Sequence, residues 1–381
     1  MDILFVTLSP IEATFSMSFR NRALLNGFVN LGHNVDVLTI YPYDSSIQIK
    51  TLELSSYGKI VRFNRPPDIV KSNISLKKGE SNFISNIIRA IYHRLMPFDS
   101  SYFLMKDLHV SVLGKNYYDT VISSSDPKTS HFAVKKLVKT GLLYKNWIQY
   151  WGDPLANDIT SKLIYPKWIL KWLEKNMIKD ANKIIYVSPI TLKEQVSQFI
   201  HLSEKMTFLP IPYEKEKIYS QTNNKVFKVG YFGFYLKSIR NIMPLYNAVK
   251  NSMSNIHLNI VGPTDIQLTQ CPNISIYPNS NNISKYEAEA DLLVVILNLR
   301  GGQIPGKLYH LAASNKPILV VIDGDYKDEI SRYLETFDRF LLCENTEKSI
   351  TEAINKQSLS RKYFSPSPLL ECTSIARNFL K

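Results

Sequence analysis

Apolar runs of strand length recur along the chain, each followed by a turn signal and then by apolar positions at helical spacing. Asp2 to Leu8 ends at the breaker Ser9-Pro10, and a loop is expected through Phe15 and Met17. Arg22 to Leu31 carries Leu24, Leu25, Phe28, Val29 and Leu31 as a broad apolar stripe stopped by Gly32, and Val35 to Ile40 reads as the next strand. This is a βαβ unit, the opening of a parallel doubly wound sheet. Its first turn lacks G-x-G-x-x-G, which argues against a dinucleotide dehydrogenase. Strands are also predicted at Lys59 to Phe63, Tyr118 to Ser123, Trp147 to Trp151, Lys183 to Val187 and Met206 to Pro210. Helices are predicted at Asn82 to Leu95 and Trp168 to Lys179.

Pro210 and Pro212 mark a linker, and after the polar spacer Gln221 to Asn224 the pattern starts again. Strands are predicted at Phe227 to Phe232, Leu258 to Val261, Ile274 to Tyr277, Asp291 to Leu297, Ile318 to Ile322 and Arg339 to Leu342. Helices are predicted at Ile239 to Met253, Ile283 to Ala290 and Thr346 to Asn355, with a last one from Pro368 to Leu380. The expected domains are 1–212, 213–365, and a C-terminal helix, 366–381, crossing back to the first.

The most informative stretch is Gly301 to Val320. Two glycines, Gln303, Pro305, Gly306 and Lys307 separate a strand from a helix whose face is Leu308, Leu311 and Ala312. Asn315 is the expected left-handed stop, and Pro317 forbids continuation. A glycine turn into a helix start bares backbone N–H groups and partial positive charge, so its natural ligand is an anion, and Lys307 adds a full charge. An ordinary βαβ turn with a solvated lysine reads equally well.

Composition narrows the class. Hydrophobic residues are 45% and charged residues 21% of the 381, enough to bury real cores. The three cysteines, Cys271, Cys343 and Cys372, form no C-x-x-C pair, which points to a reducing compartment and no structural metal. No run approaches the length of a membrane span, and Met1 to Val6 lacks the basic start of a signal peptide. A cytoplasmic protein is expected, soluble or at the inner face of the membrane. The formal charge of +13 implies an acidic partner. Nucleic acid is the weaker choice, because no nucleic-acid-binding signature occurs. Anionic lipid is another: the 82–95 helix, with Arg89 and Arg94, and the basic tryptophan-rich segment with Trp168, Lys171 and Trp172 are either membrane-facing or core.

Several of these segments resemble the GT-B glycosyltransferases, especially glycosyltransferase family four. Gly32-His33-Asn34-Val35-Asp36-Val37-Leu38-Thr39 is similar to the opening of that fold. Pro305, Lys307, Ala313, Lys316, Pro317 and Ile318 match its donor-binding helix. His310 and Gly302 depart from it, standing where the family has glutamates for the ribose and the donor sugar. The loops Ser123-Ser124-Ser125-Asp126-Pro127-Lys128-Thr129-Ser130-His131 and Trp151-Gly152-Asp153-Pro154 resemble paired loops of polysaccharide-assembly enzymes.

The resemblance implies two Rossmann-like doubly wound α/β domains facing a cleft. It implies a metal-independent hexosyl- or N-acetylhexosaminyl-transferase, retaining, in bacterial-type surface polysaccharide or lipid-linked oligosaccharide assembly. No cofactor is expected beyond a nucleotide-diphosphate sugar, a UDP-sugar first, and the acceptor is a saccharide or a lipid-linked one. Gly233, Lys237, Arg240, Gly262, Gln303, Gly306, Lys307 and His310 are the donor-binding candidates, with Lys237 and Arg240 resembling the family's basic pair beside the diphosphate. Ser18 and Arg20 are acceptor-binding candidates on the first loop. His131 and Asp153 are the catalytic candidates, although a lone histidine is as often structural and Asp-Pro after glycine is good turn chemistry. A nucleotide-sugar epimerase on the same scaffold is the alternative, and would need carboxylates that the 301–306 turn does not offer. A solute-binding module is the third reading.

Overall fold

The computed structural model describes residues 1–42, 56–64, 91, 94–161, 163–221, 224–277 and 283–381. Of the expected 82–95 helix, residues 82–90 and 92–93, Arg89 included, lie outside this set. The chain divides into two compact units, Met1–Leu209 together with Ala376–Lys381, and Pro210–Ile375.

The first unit is built on a seven-stranded, wholly parallel sheet. Its strands are β1 (Asp2–Val6), β2 (Asn34–Ile40), β3 (Ile60–Phe63), β4 (Tyr117–Ser124), β5 (Leu143–Trp151), β6 (Lys183–Tyr186) and β7 (Met206–Phe208), in the order 3-2-1-4-5-6-7. The helices are α1 (Ser16–Asn30), α2 (Thr129–Lys139), α3 (Lys167–Ile178) and α4 (Pro189–Gln198). The second unit repeats the plan with six parallel strands: β8 (Phe227–Phe232), β9 (Ile256–Val261), β10 (Ile274–Tyr277), β11 (Leu292–Ile296), β12 (Ile318–Ile322) and β13 (Leu341–Glu344), ordered 10-9-8-11-12-13. Its helices are α5 (Met243–Lys250), α6 (Ile283–Glu289), α7 (Gly306–Leu311), α8 (Lys327–Glu335), α9 (Glu347–Ser360) and the start of α10 (Cys372–Phe379). β11 and β12 are buried at every position, which is why Leu-Leu-Val-Val-Ile and Ile-Leu-Val-Val-Ile read as unbroken apolar runs rather than alternating ones. In each sheet the strand order reverses once, between β1 and β4 and between β8 and β11. A ligand crevice in such sheets opens at that reversal, beyond the carboxyl ends of the strands.

Three local expectations are corrected. Helix α1 begins at Ser16, not Arg22, so Ser18 and Arg20 lie in its first turns instead of a loop. Tertiary bonds decide this: the Ser18 hydroxyl donates to the Pro10 carbonyl at 2.7 Å, and buried Arg22 donates to Ile11 and Ala13 carbonyls. Helix α5 is shorter than the predicted 239–253, because Pro244 in its first turn has no N–H to extend the ladder backwards. Asn315 is not left-handed; its amide bonds both the N–H and the carbonyl of Tyr219, and α7 is only six residues long. In the tail, Phe379 packs edge-on against Phe28 and Tyr150, at 5.7 and 5.2 Å between ring centroids.

Candidate functional site

In the second unit the reversal point holds a fixed cation. Arg240 lies eight residues beyond the last residue of β8, in a turn where Ile239 and Arg240 donate their N–H groups to the Leu236 carbonyl. Its Nε donates to Asn298 Oδ1 at 3.0 Å, one Nη donates to the Phe234 carbonyl at 3.2 Å, and the guanidinium lies 4.1 Å from the Phe234 ring centroid. Asn298, just past β11, donates in turn to the Gln303 carbonyl at 2.9 Å. The loops after the two central strands are thereby tied together, with a cation held at their junction. A guanidinium so pre-oriented loses little freedom when it meets an anion. Gly233 and Gly262 end β8 and β9 with their backbones in contact; a Cβ on Gly262 would sit 2.1 Å from the Gly233 oxygen, so no side chain fits there.

The remaining donor candidates divide. Lys237 is exposed, its N–H held by Asp265 Oδ1 at 2.7 Å. Gln303 and Gly306 border the turn into α7, with half-buried His310 on that helix. Lys307 does not stand free: its Nζ is 2.9 Å from Glu287 Oε1, and Lys217 approaches the other oxygen at 3.6 Å. Burial alone would raise the Glu287 carboxyl, but Lys307 and Lys217 outweigh it and hold the group below its ordinary value. The turn was legible as a place for charge; Glu287 was not, because nothing in its spacing ties it to Lys307.

In the first unit the same edge gathers residues from four segments. Arg20 is almost fully buried, with an Nη 3.5 Å from Ser124 Oγ and its guanidinium over the Tyr150 ring. Gly152 makes room for it: a Cβ there would lie 2.4 Å from an Arg20 Nη. Ser124 donates to Asn21 Oδ1, and Asn21 donates to Thr7 Oγ1 at the end of β1. Ser18 is buried and spends its hydroxyl on Pro10. Around the next turn stand three carboxyls, Asp126, Asp153 and Asp158, with Lys128 at 2.9 Å from Asp126 and 3.7 Å from Asp158. Asp153 makes no hydrogen bond with another described residue. Burial raises its carboxyl to about 7, Asp126 and Asp158 add to the rise, and Lys128 and Arg20 oppose it.

His131 is fully buried, stacked on Trp151 at 4.4 Å, with Nδ1 2.8 Å from Ser123 Oγ. Burial, with Lys128, Lys135 and Arg20 nearby, keeps the ring neutral at ordinary pH. Ser123 Oγ also accepts the Trp147 indole N–H at 2.9 Å. The other ring nitrogen, Nε2, is buried and meets no partner among the described residues. Asp153 is the group of the pair able to take a proton near neutrality.

Asp153's loop is held from beneath by Glu174 of α3, a buried carboxylate accepting the Ala156 N–H at 2.9 Å. Burial raises Glu174 from its ordinary 4.5 to about 7. The folded state therefore holds a proton that the unfolded chain releases; this stability is complete below the unfolded value and lost as pH rises through about 7. Glu174→Gln keeps the acceptor without the charge. It should melt with the wild type near pH 5 and roughly 5–10 °C higher at pH 8, an upper bound from the full shift. Identical melting curves at both pH values would remove the buried-carboxyl argument.

Among the described residues no group of three His, Cys, Asp or Glu side chains is disposed to hold a metal ion, and no helix is long and apolar enough to cross a membrane. No protein-family model matches the sequence, and no curated protein does. Solved structures do match along nearly the whole chain. HepE from Anabaena, in complex with UDP and glucose, is similar at 11% identity over 99% of this chain and 95% of that one, with a TM-score of 0.57. Sucrose-phosphate synthase from Thermosynechococcus elongatus is similar at 11% identity over 99% and 92%, TM-score 0.58. The catalytic domain of starch synthase IV from Arabidopsis thaliana, bound to ADP and acarbose, is similar at 11% over 98% and 94%, TM-score 0.59. At such identity the likeness is one of fold: the chain has the two parallel-sheet α/β domains of GT-B enzymes.

Proposed function

We propose that this chain is a glycosyltransferase that moves a hexosyl or N-acetylhexosaminyl group from a nucleotide-diphosphate sugar to a saccharide or lipid-linked saccharide in surface polysaccharide synthesis. The observation that carries the reading is Arg240, clamped by Asn298 and Phe234 at the reversal point of the second sheet. Breaking the anomeric carbon–oxygen bond sends its electron pair onto the diphosphate, and a positioned guanidinium stabilises the charge as it develops. Lys237 is close in sequence to add to it, and Lys307 can do so only by leaving Glu287. HepE was solved with UDP, which makes a UDP-sugar the first donor to try.

The first unit takes the acceptor. Its hydroxyl oxygen forms the new bond to the anomeric carbon while its proton passes to Asp153, and His131 and Arg20 orient it. One displacement with Asp153 as base inverts the anomeric centre; retention, which the family resemblance implies, would leave Asp153 to bind rather than to react. The anomeric configuration of the product, read by NMR, separates the two.

The reading is tested by thermal shift with UDP-, GDP-, dTDP- and CMP-sugars. A donor at a hundred times its Kd stabilises by about 2.7 kcal/mol, so one nucleotide class should raise the melting temperature clearly. No rise with any of them would refute the assignment.

A further inference from the structure

Helix α3 has two opposed faces. Leu170, Glu174, Met177 and Ile178 turn inward and are buried. Trp168 and Trp172, four residues apart and hence on one side, are 71% and 61% exposed. Lys171 and Lys175 share that side with Lys167 next to it, all exposed and with no side-chain partner among the described residues, and the only carboxylate of the helix is the buried Glu174. Apolar surface continues beyond the helix. Ile164 is 62% exposed, its N–H donating to the Arg94 carbonyl, and Tyr165 donates to the carbonyl of exposed Leu95. Of the two ways to read these tryptophans, core is therefore excluded.

We infer that this face docks on an anionic lipid surface. Indole rings favour the boundary between headgroups and acyl chains, and lysines beside them draw in acidic headgroups. An acidic polysaccharide would also suit tryptophan and lysine, but it has no use for Ile164 and Leu95. Aliphatic side chains beside the rings suit a bilayer, where they enter the acyl region. The net charge of +13 favours the same partner at longer range. The inference rests on this face alone and stands apart from the donor-site reading.

Flotation of the full chain with vesicles decides it. With phosphatidylglycerol and phosphatidylcholine at about 20 mM salt the wild type should float; with phosphatidylcholine alone, or at about 0.5 M salt where the Debye length is a few ångströms, it should not. Trp168→Ala/Trp172→Ala and Lys167→Glu/Lys171→Glu/Lys175→Glu should each weaken vesicle binding about tenfold or more. Both should keep the wild-type melting temperature, since these side chains are exposed. Brominated lipid should quench wild-type fluorescence and spare the double tryptophan variant, whose remaining Trp147 and Trp151 are buried. The inference is overturned if the wild type stays with the soluble fraction at low salt, or if both variants bind as it does. It is equally overturned if an acidic polysaccharide, or self-association seen by sedimentation, proves to use the face while vesicles do not.

Discussion

Arg240→Ala lowers kcat/KM for glycosyl transfer by about tenfold to a hundredfold, at roughly 1.4 kcal/mol per decade. The range follows from one charge-assisted hydrogen bond to phosphate, worth about 1.5–3 kcal/mol. Charge grows on the diphosphate as it leaves, so kcat should fall as well as donor affinity. Arg240→Lys should rescue only part of the loss, because an ammonium cannot keep the bond to Asn298 and reach two phosphate oxygens through a planar fork. Asn298→Ala should lower the rate by a smaller factor, since it removes the group that aims the guanidinium. Lys285→Ala, an exposed lysine on α6, is the control and should change nothing. Activity should persist in EDTA if side chains alone meet the leaving charge. Wild-type kinetics in Arg240→Ala would move the diphosphate elsewhere.

Asp153→Asn removes a proton acceptor that the first unit's edge poises near neutrality. General base catalysis contributes about 10²–10⁴-fold, and the loss should fall on kcat. The wild-type rate should rise with pH through about 7, because the carboxyl must be ionised to accept a proton and is protonated below that value. Asp126→Asn should shift this limb to lower pH, because it removes a neighbouring negative charge that opposes ionisation. The asparagine variant should melt at or above the wild type at pH 8, since it no longer buries a charge there, so lost activity would not be lost folding. An active Asp153→Asn enzyme with an unchanged pH profile would rule Asp153 out as the base.

The sheets were legible because buried parallel strands are continuous apolar runs. β8, β10 and β12 have the bounds that Phe227–Phe232, Ile274–Tyr277 and Ile318–Ile322 announce. Helices were less so. Helix α8 escaped notice because only Ile330 and Leu334 anchor it among polar neighbours. At the sites, Arg240 could be found because it follows a strand and a glycine. Asn298, which aims it, could not, since an asparagine after a strand has no motif. The carboxyl trio is a product of folding: Asp126 leaves β4 while Asp153 and Asp158 leave β5. Lys316 looks like a solvated lysine at a helix end, yet it is buried with Nζ on the Ala288 and Ala290 carbonyls. Burial lowers that ammonium to about 8, and its replacement would test folding, not catalysis.

The aromatic contact made by Phe379 bears on the order in which the protein can be assembled on the ribosome. Residues 376–381 belong with the first unit, but they follow the whole of the second. After Leu209 is made, Phe28 and Tyr150 thus wait for their partner while roughly 170 further residues are added, about ten to thirty seconds at ordinary elongation rates. During that interval the nascent first unit carries an uncovered aromatic patch, and the second unit has time to fold before the first is sealed.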